Sequence, residues 1–155
     1  MMNDKRQIKI LAPLALAVVS AIACIFIFSF VYSINPTGSA FDNIKFSQVF
    51  ISSEDEIVPR LIKELQIFCL VSFGSLCISI ILYGLKIMAK TFKGISVLFT
   101  LSIISGLGCF LLMRLGLSEM ISDGVSLGIS WYFGYVSFAL VALGFFINKS
   151  PTTTE

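Results

Sequence analysis

The sequence contains no histidine, and this absence excludes several classes of membrane enzyme. Without imidazole, the chain has no histidine ligand for haem iron or zinc and no histidine general base. Cysteine is also sparse, and no C-x-x-C pair occurs, so a thiol oxidant with paired loop cysteines is not supported. We expect the cysteines to be small buried apolar residues: Cys24, Cys69, Cys77 and Cys109. The sequence therefore predicts no catalytic residue, no metal site, no cofactor and no enzymatic activity.

Charged residues are scarce, at 13% of the chain, whereas hydrophobic residues make up 57%. This composition leaves too little polar surface to coat a soluble globule of 155 residues. Together with the mean hydropathy of +0.96, it indicates an integral membrane protein. The net charge of +2 is small and does not suggest a nucleic acid partner.

Charges are also missing from the interior of four apolar runs, at about 10–34, 65–85, 95–115 and 125–147. A transmembrane helix needs roughly 20 apolar residues to cross about 30 Å of hydrocarbon, so each run can span a bilayer. A proton-coupled transporter usually carries an ionisable residue near the membrane centre, and these runs have none. The expected fold is all-α, a bundle of four transmembrane helices in a single domain, residues 1–155.

The first apolar run follows a basic head, which is also the pattern of a cleaved signal peptide. Residues 21–24 resemble a lipoprotein cleavage box. However, the run exceeds the usual signal-peptide core of about 7–15 residues, and it stays apolar beyond Cys24. We therefore expect an uncleaved signal anchor.

The distribution of lysine and arginine predicts the orientation of the chain. Most of these residues lie in the head, in the turn at 86–94 and in the tail at 148–155: Lys5, Arg6, Lys9, Lys86, Lys90, Lys93 and Lys149. Because cytoplasmic loops carry the excess of basic residues, both termini are expected in the cytoplasm. A bacterial inner membrane and a eukaryotic plasma or internal membrane both fit this pattern.

The loop at 35–64 would then lie outside the cytoplasm, and it is longer than closure of two neighbouring helices requires. Its second half has the apolar spacing of a short amphipathic helix that leads into the second span. We predict that the loop binds a membrane or extracytoplasmic protein through Glu54, Asp55, Glu56, Phe46 and Phe50. A lid that only covers the helix ends is the alternative.

Two sets of helix contacts are also expected. The antiparallel hairpin of the second and third spans brings Glu64 and Arg114 together, so an ion pair is predicted there. Small residues four apart allow helices to approach closely, which predicts packing seams at Gly124, Gly128, Ser102 and Gly106. Such seams serve either a single bundle or a homo-oligomer.

The predicted function is that of a structural or accessory membrane subunit. The alternative is an oligomeric channel or carrier lined by the serine-rich faces of the second and third spans. A pore requires a continuous polar stripe along a cavity, whereas an accessory protein requires hydroxyl groups that are satisfied by neighbouring helices.

Overall fold

The computed structural model describes residues 4–33, 44–51, 66–88, 94–120 and 125–147, and the side chains of 11–31, 44–50, 66–88, 94–118 and 127–147. These residues are mostly helical. In chain order the elements are α1 (Asp4–Ile22), a π-helical turn (Ala23–Ile27), β1 (Ser29–Ser33), β2 (Ile44–Lys45), α2 (Phe46–Ile51), α3 (Gln66–Ile87), α4 (Ile95–Met120), β3 (Val125–Leu127) and α5 (Ser130–Ile147).

Within the described ranges, three helices are long and apolar enough to cross a membrane: Gln66–Ile87, Ile95–Ser118 and Ser130–Ile147. They correspond to the second, third and fourth apolar runs. Their surfaces are apolar on the outside as well, since Val97, Leu101 and Ile104 are each at least 60% exposed. A helix that is hydrophobic all round and not covered by protein suits a lipid bilayer. The chain is therefore consistent with an integral membrane protein.

The first apolar run was expected to be helical over 10–34, but its helical part ends at Ile27. The backbone widens into a π-helical turn, where the N–H of Phe28 donates to the carbonyl of Ala23 at 3.0 Å. Phe28 itself is extended, with φ −96° and ψ 145°, and β1 begins one residue later. The apolar helix Leu11–Ile27 is about 25 Å long at 1.5 Å per residue.

The fourth run was expected to be helical from residue 125, but 125–127 form a strand and the helix begins at Ser130. This strand, β3, pairs antiparallel with β1 in the register Val31 to Leu127 and Tyr32 to Ser126. β2 pairs antiparallel with the other edge of β1, giving the order β2-β1-β3. The all-α expectation therefore has to be amended by a small three-stranded sheet.

The helices run up and down in alternation. α1 packs mainly on α5, and α3 mainly on α4, with α3 and α5 in contact across the bundle. The end of α1, the start of α3, the end of α4 and the start of α5 meet around the sheet, and we call this the sheet end. At the opposite end Lys86 of α3 contacts Phe145 of α5, and we call it the Lys86 end.

Candidate functional site at the sheet end

The sheet end is closed by a cap, which we define as β1, β2, α2 and β3. The cap is anchored by five buried rings that form one aromatic cluster: Phe30, Phe46, Phe73, Phe110 and Trp131. Phe30 stacks on Phe46 with ring centroids 4.4 Å apart, and Phe46 meets Trp131 edge-on at 5.3 Å. Each such pair contributes roughly 0.5–1.5 kcal/mol beyond its burial. The cluster joins the cap to three helices.

Hydrogen bonds tie the exit from α1 to the entry into α5. The carbonyl of Phe30 accepts from the N–H of Gly128 at 2.7 Å and from Nε1 of Trp131 at 2.9 Å. The hydroxyl of Ser130 donates to the carbonyl of Cys24 at 2.5 Å. Carbonyls in the last turn of a helix have no intrahelical partner, so this hydroxyl supplies one at a buried position.

The short helix α2 is held at both of its ends. At the start, the N–H of Lys45 donates to Oε1 of Gln48 at 2.7 Å. At the end, Nε2 of Gln66 donates to the carbonyl of Val49 at 3.1 Å, which links α2 to the first residue of α3. A helix of one and a half turns is not stable alone in water, so these bonds and the burial of Phe46 and Val49 position it.

Two of the predicted partner-binding residues belong to the interior. Phe46 is 1% exposed, and half-buried Phe50 packs edge-on against Phe73 with centroids 5.8 Å apart. Large apolar side chains next to a bundle gain more from burial than from exposure, so Phe46 anchors the cap and presents no surface to a partner. Glu54, Asp55 and Glu56 lie outside the described residues, and the acidic surface stays a prediction.

Arg114 lies in the last part of α4, half-buried beside α5. Its Nη1 atom donates to the hydroxyl of Tyr135 at 3.4 Å, and its guanidinium carbon lies 5.6 Å from the centre of the Tyr135 ring. None of the side chains that the structure describes is acidic. Glu64 lies outside the described residues, so its ion pair with Arg114 stays a prediction.

The small residues of the third span lie where helices meet. A Cβ atom on Gly106 would come within 2.9 Å of both Ser75 and Phe138. The hydroxyl of Ser102 donates to the carbonyl of Ser75 at 2.8 Å. Ser102 and Gly106 therefore pack α4 against α3, and Gly106 also contacts α5.

The expected seam at Gly124 and Gly128 is not a helix seam at Gly128, because that residue lies between β3 and α5. A Cβ atom on Gly128 would sit 1.9 Å from the carbonyl oxygen of Ser29. Glycine is needed there because the backbone of β1 passes at contact distance. Gly124 lies outside the described residues.

Several hydroxyl groups of the second, third and fourth spans donate to backbone carbonyls. Ser79, like Ser102, donates to the carbonyl of Ser75 at 2.8 Å, and Ser137 donates to that of Phe133 at 2.9 Å. The buried hydroxyl of Ser72 has no partner among the described residues. These bonds satisfy hydroxyl groups inside the bundle.

Lys86 has a role that sequence reasoning missed. Its Nζ atom donates to the carbonyl of Phe145 at 2.6 Å and lies 4.0 Å from the centre of the Phe145 ring. That ring also stacks on Phe99 at 3.7 Å. Phe145 is in the last turn of α5, where a positive charge and a donor are both favourable. A lysine at the end of one apolar run was the signal, but its partner on another helix was not predictable.

Within the described ranges, the structure contains no group of three or more histidine, cysteine, aspartate or glutamate residues that could hold a metal ion. No protein-family model matches the sequence, and comparisons with curated proteins and with solved structures found no significant match.

Proposed function

We propose that this protein is a non-enzymatic membrane subunit that binds a partner protein through its 35–64 segment, with both termini in the cytoplasm. α1 serves as a fourth span. We propose the acidic group Glu54, Asp55 and Glu56 as the contact surface, because Phe46 is buried and Phe50 packs against Phe73.

The observation that carries this proposal is the way the cap is fastened to the bundle. α2 is bonded at both ends and inserts Phe46 into the aromatic cluster. The bond from Gln66 to Val49 brings together the two points between which the acidic residues lie in the sequence. A segment with fixed ends loses less conformational entropy on binding than a free tail, which favours recognition.

The hydroxyl groups support an accessory role over the channel alternative. The hydroxyl groups of Ser79 and Ser102 both donate to the carbonyl of Ser75, and the hydroxyl of Ser130 donates to the carbonyl of Cys24. Ser72, Ser79 and Ser130 are also fully buried, so these hydroxyl groups do not line a solvent-filled path for an ion. Close packing at Gly106 and Gly134 also fills the space between α3, α4 and α5.

The fourth span is supported by the apolar surface of α1. Its apolar part, Leu11–Ile27, covers about 25 Å, and the bilayer can thin slightly to match a core of about 30 Å. Leu16, Val19 and Ile27 are each more than 50% exposed, as expected for lipid contacts.

The test is affinity purification from mild detergent after chemical crosslinking, with Glu54, Asp55 and Glu56 replaced together by Ser. We expect the crosslinked partner to be lost while yield and helix content stay unchanged. The matched control replaces Glu119 and Asp123 by Ser, which removes acidic residues from a different segment. Equal recovery of the partner by the triple variant and the wild type would contradict the proposal and favour the lid.

A further inference from the structure

α1 is helical well before its apolar part begins. The helix starts at Asp4, and residues 4–9 contain Lys5, Arg6 and Lys9. At 1.5 Å per residue these first turns extend about 9 Å beyond the apolar segment. The headgroup layer on each side of a bilayer is about 5–8 Å thick. The three basic residues therefore lie on a helical segment that extends beyond the apolar part by about the thickness of the headgroup layer.

α3 contributes a further cation at the same end of the bundle. Since α1 starts where α3 ends, Lys86 belongs to the same layer as the first turns of α1. Its Nζ atom donates a hydrogen bond to the backbone carbonyl of Phe145, which holds the positive charge at this end of the bundle. The only acidic residue in these turns of α1 is Asp4. The sequence adds Lys90 and Lys93 between α3 and α4.

We propose that this surface, the first two turns of α1 together with Lys86, is a binding site for anionic phospholipid headgroups. A lysine or arginine near an anionic membrane surface contributes about 1 kcal/mol, which corresponds to about fivefold in affinity. Cations on a helix of fixed depth meet the phosphates without the entropic cost of ordering a flexible segment. The proposal does not depend on the partner protein, which binds at the sheet end.

The experiment counts lipids bound to the purified full chain in neutral detergent by native mass spectrometry. Phosphatidylglycerol and phosphatidylcholine with the same acyl chains are titrated separately. We expect phosphatidylglycerol to bind more tightly, and its advantage to shrink as salt rises, because exposed charges are screened beyond about 10 Å at 0.1 M.

Two double variants locate the site. Replacing Lys5 and Lys9 by Gln should lower the affinity for phosphatidylglycerol about 25-fold, by two factors of about five. The matched control replaces Lys45 and Arg114 by Gln at the sheet end and should leave the affinity unchanged. Circular dichroism verifies that both variants keep the helix content of the wild type.

Three results would overturn the assignment. Equal affinity for the two lipids would remove the preference for anionic headgroups. If the sheet-end control loses as much affinity for phosphatidylglycerol as the α1 variant does, the site does not lie on α1. Displacement of phosphatidylglycerol by inorganic phosphate or by polyglutamate, at matched ionic strength and at lower concentration than the lipid, would assign the surface to free anions or acidic proteins instead.

Discussion

Replacing Lys86 by Met tests whether one charged donor fastens α3 to the end of α5. Methionine keeps an unbranched apolar stem of similar length but removes the bond to the carbonyl of Phe145, 2.6 Å long, and the contact with its ring at 4.0 Å. A hydrogen bond from a charged donor contributes about 1.5–3 kcal/mol, and a partly exposed cation–π contact contributes about 0.5–1 kcal/mol. Since the two share one ammonium group and Lys86 is only half-buried, we expect a loss of about 2–3 kcal/mol.

The assay is equilibrium unfolding in mixed micelles, where rising SDS converts the folded bundle to the unfolded state. The single Trp131 reports the transition, because its ring lies in the aromatic cluster at the far end of the bundle. The free energy of unfolding of Lys86→Met should fall by the stated amount, with the same dependence on SDS. A loss below about 0.5 kcal/mol, within the range of an ordinary surface substitution, would refute the reasoning.

Two further variants separate the hydrogen bond from the ring contact. Phe145→Leu removes the ring but keeps the backbone carbonyl that accepts from Lys86, so the double variant with Lys86→Met measures the coupling through the ring alone. Lys86→Arg keeps the charge but replaces a compact ammonium by a planar group. The Lys86→Arg variant should therefore be more stable than Lys86→Met but less stable than the wild type, because the forked donors of a guanidinium fit a single carbonyl less well than an ammonium does.

Gly134→Ala should destabilise the bundle by about 1–3 kcal/mol in the same unfolding assay, because the added Cβ would lie 2.3 Å from the Phe110 ring. The control is Gly108→Ala, where the added Cβ has nothing within 4 Å. It should be neutral or slightly stabilising. Equal effects of the two alanines would contradict the packing at Gly134. Trp131→Phe should cost about 0.5–1.5 kcal/mol through the lost hydrogen bond, because the carbonyl of Phe30 loses its indole donor but keeps the N–H of Gly128. Thermal aggregation in detergent measures this, and an unchanged midpoint would mean that the indole bond contributes nothing.

The membrane class and the second and third helices were predictable from residue order alone. Long uncharged runs with turn residues between them have few other ways to satisfy their backbone in lipid than helices. The predicted second and third spans differ from α3 and α4 only at their ends, by a few residues. Ser102 and Gly106 lie at close helix contacts, and small side chains on one helix face have this use in bundles of any topology.

The candidate site was predictable only in part. From the sequence, Phe46 and Phe50 were predicted to bind a partner protein. In the structure, the ring of Phe46 packs between Phe30, Phe73 and Trp131. A buried anchor and an exposed binding residue have the same composition, and only the neighbours distinguish them.

Residue order alone predicts an apolar, mostly helical chain suited to a membrane, because hydropathy and charge placement are properties of each run and need no partner. The end of the first helix and the start of the last one depend on contacts between distant parts of the chain. Segments 29–33 and 125–127 carry no charge and belong to the same apolar runs as the helices beside them, and locally they could continue those helices. They become strands because each supplies the backbone partners of the other, and because the carbonyl of Phe30 gains Gly128 and Trp131 as donors. Such pairing joins residues about a hundred positions apart, so no local pattern contains it.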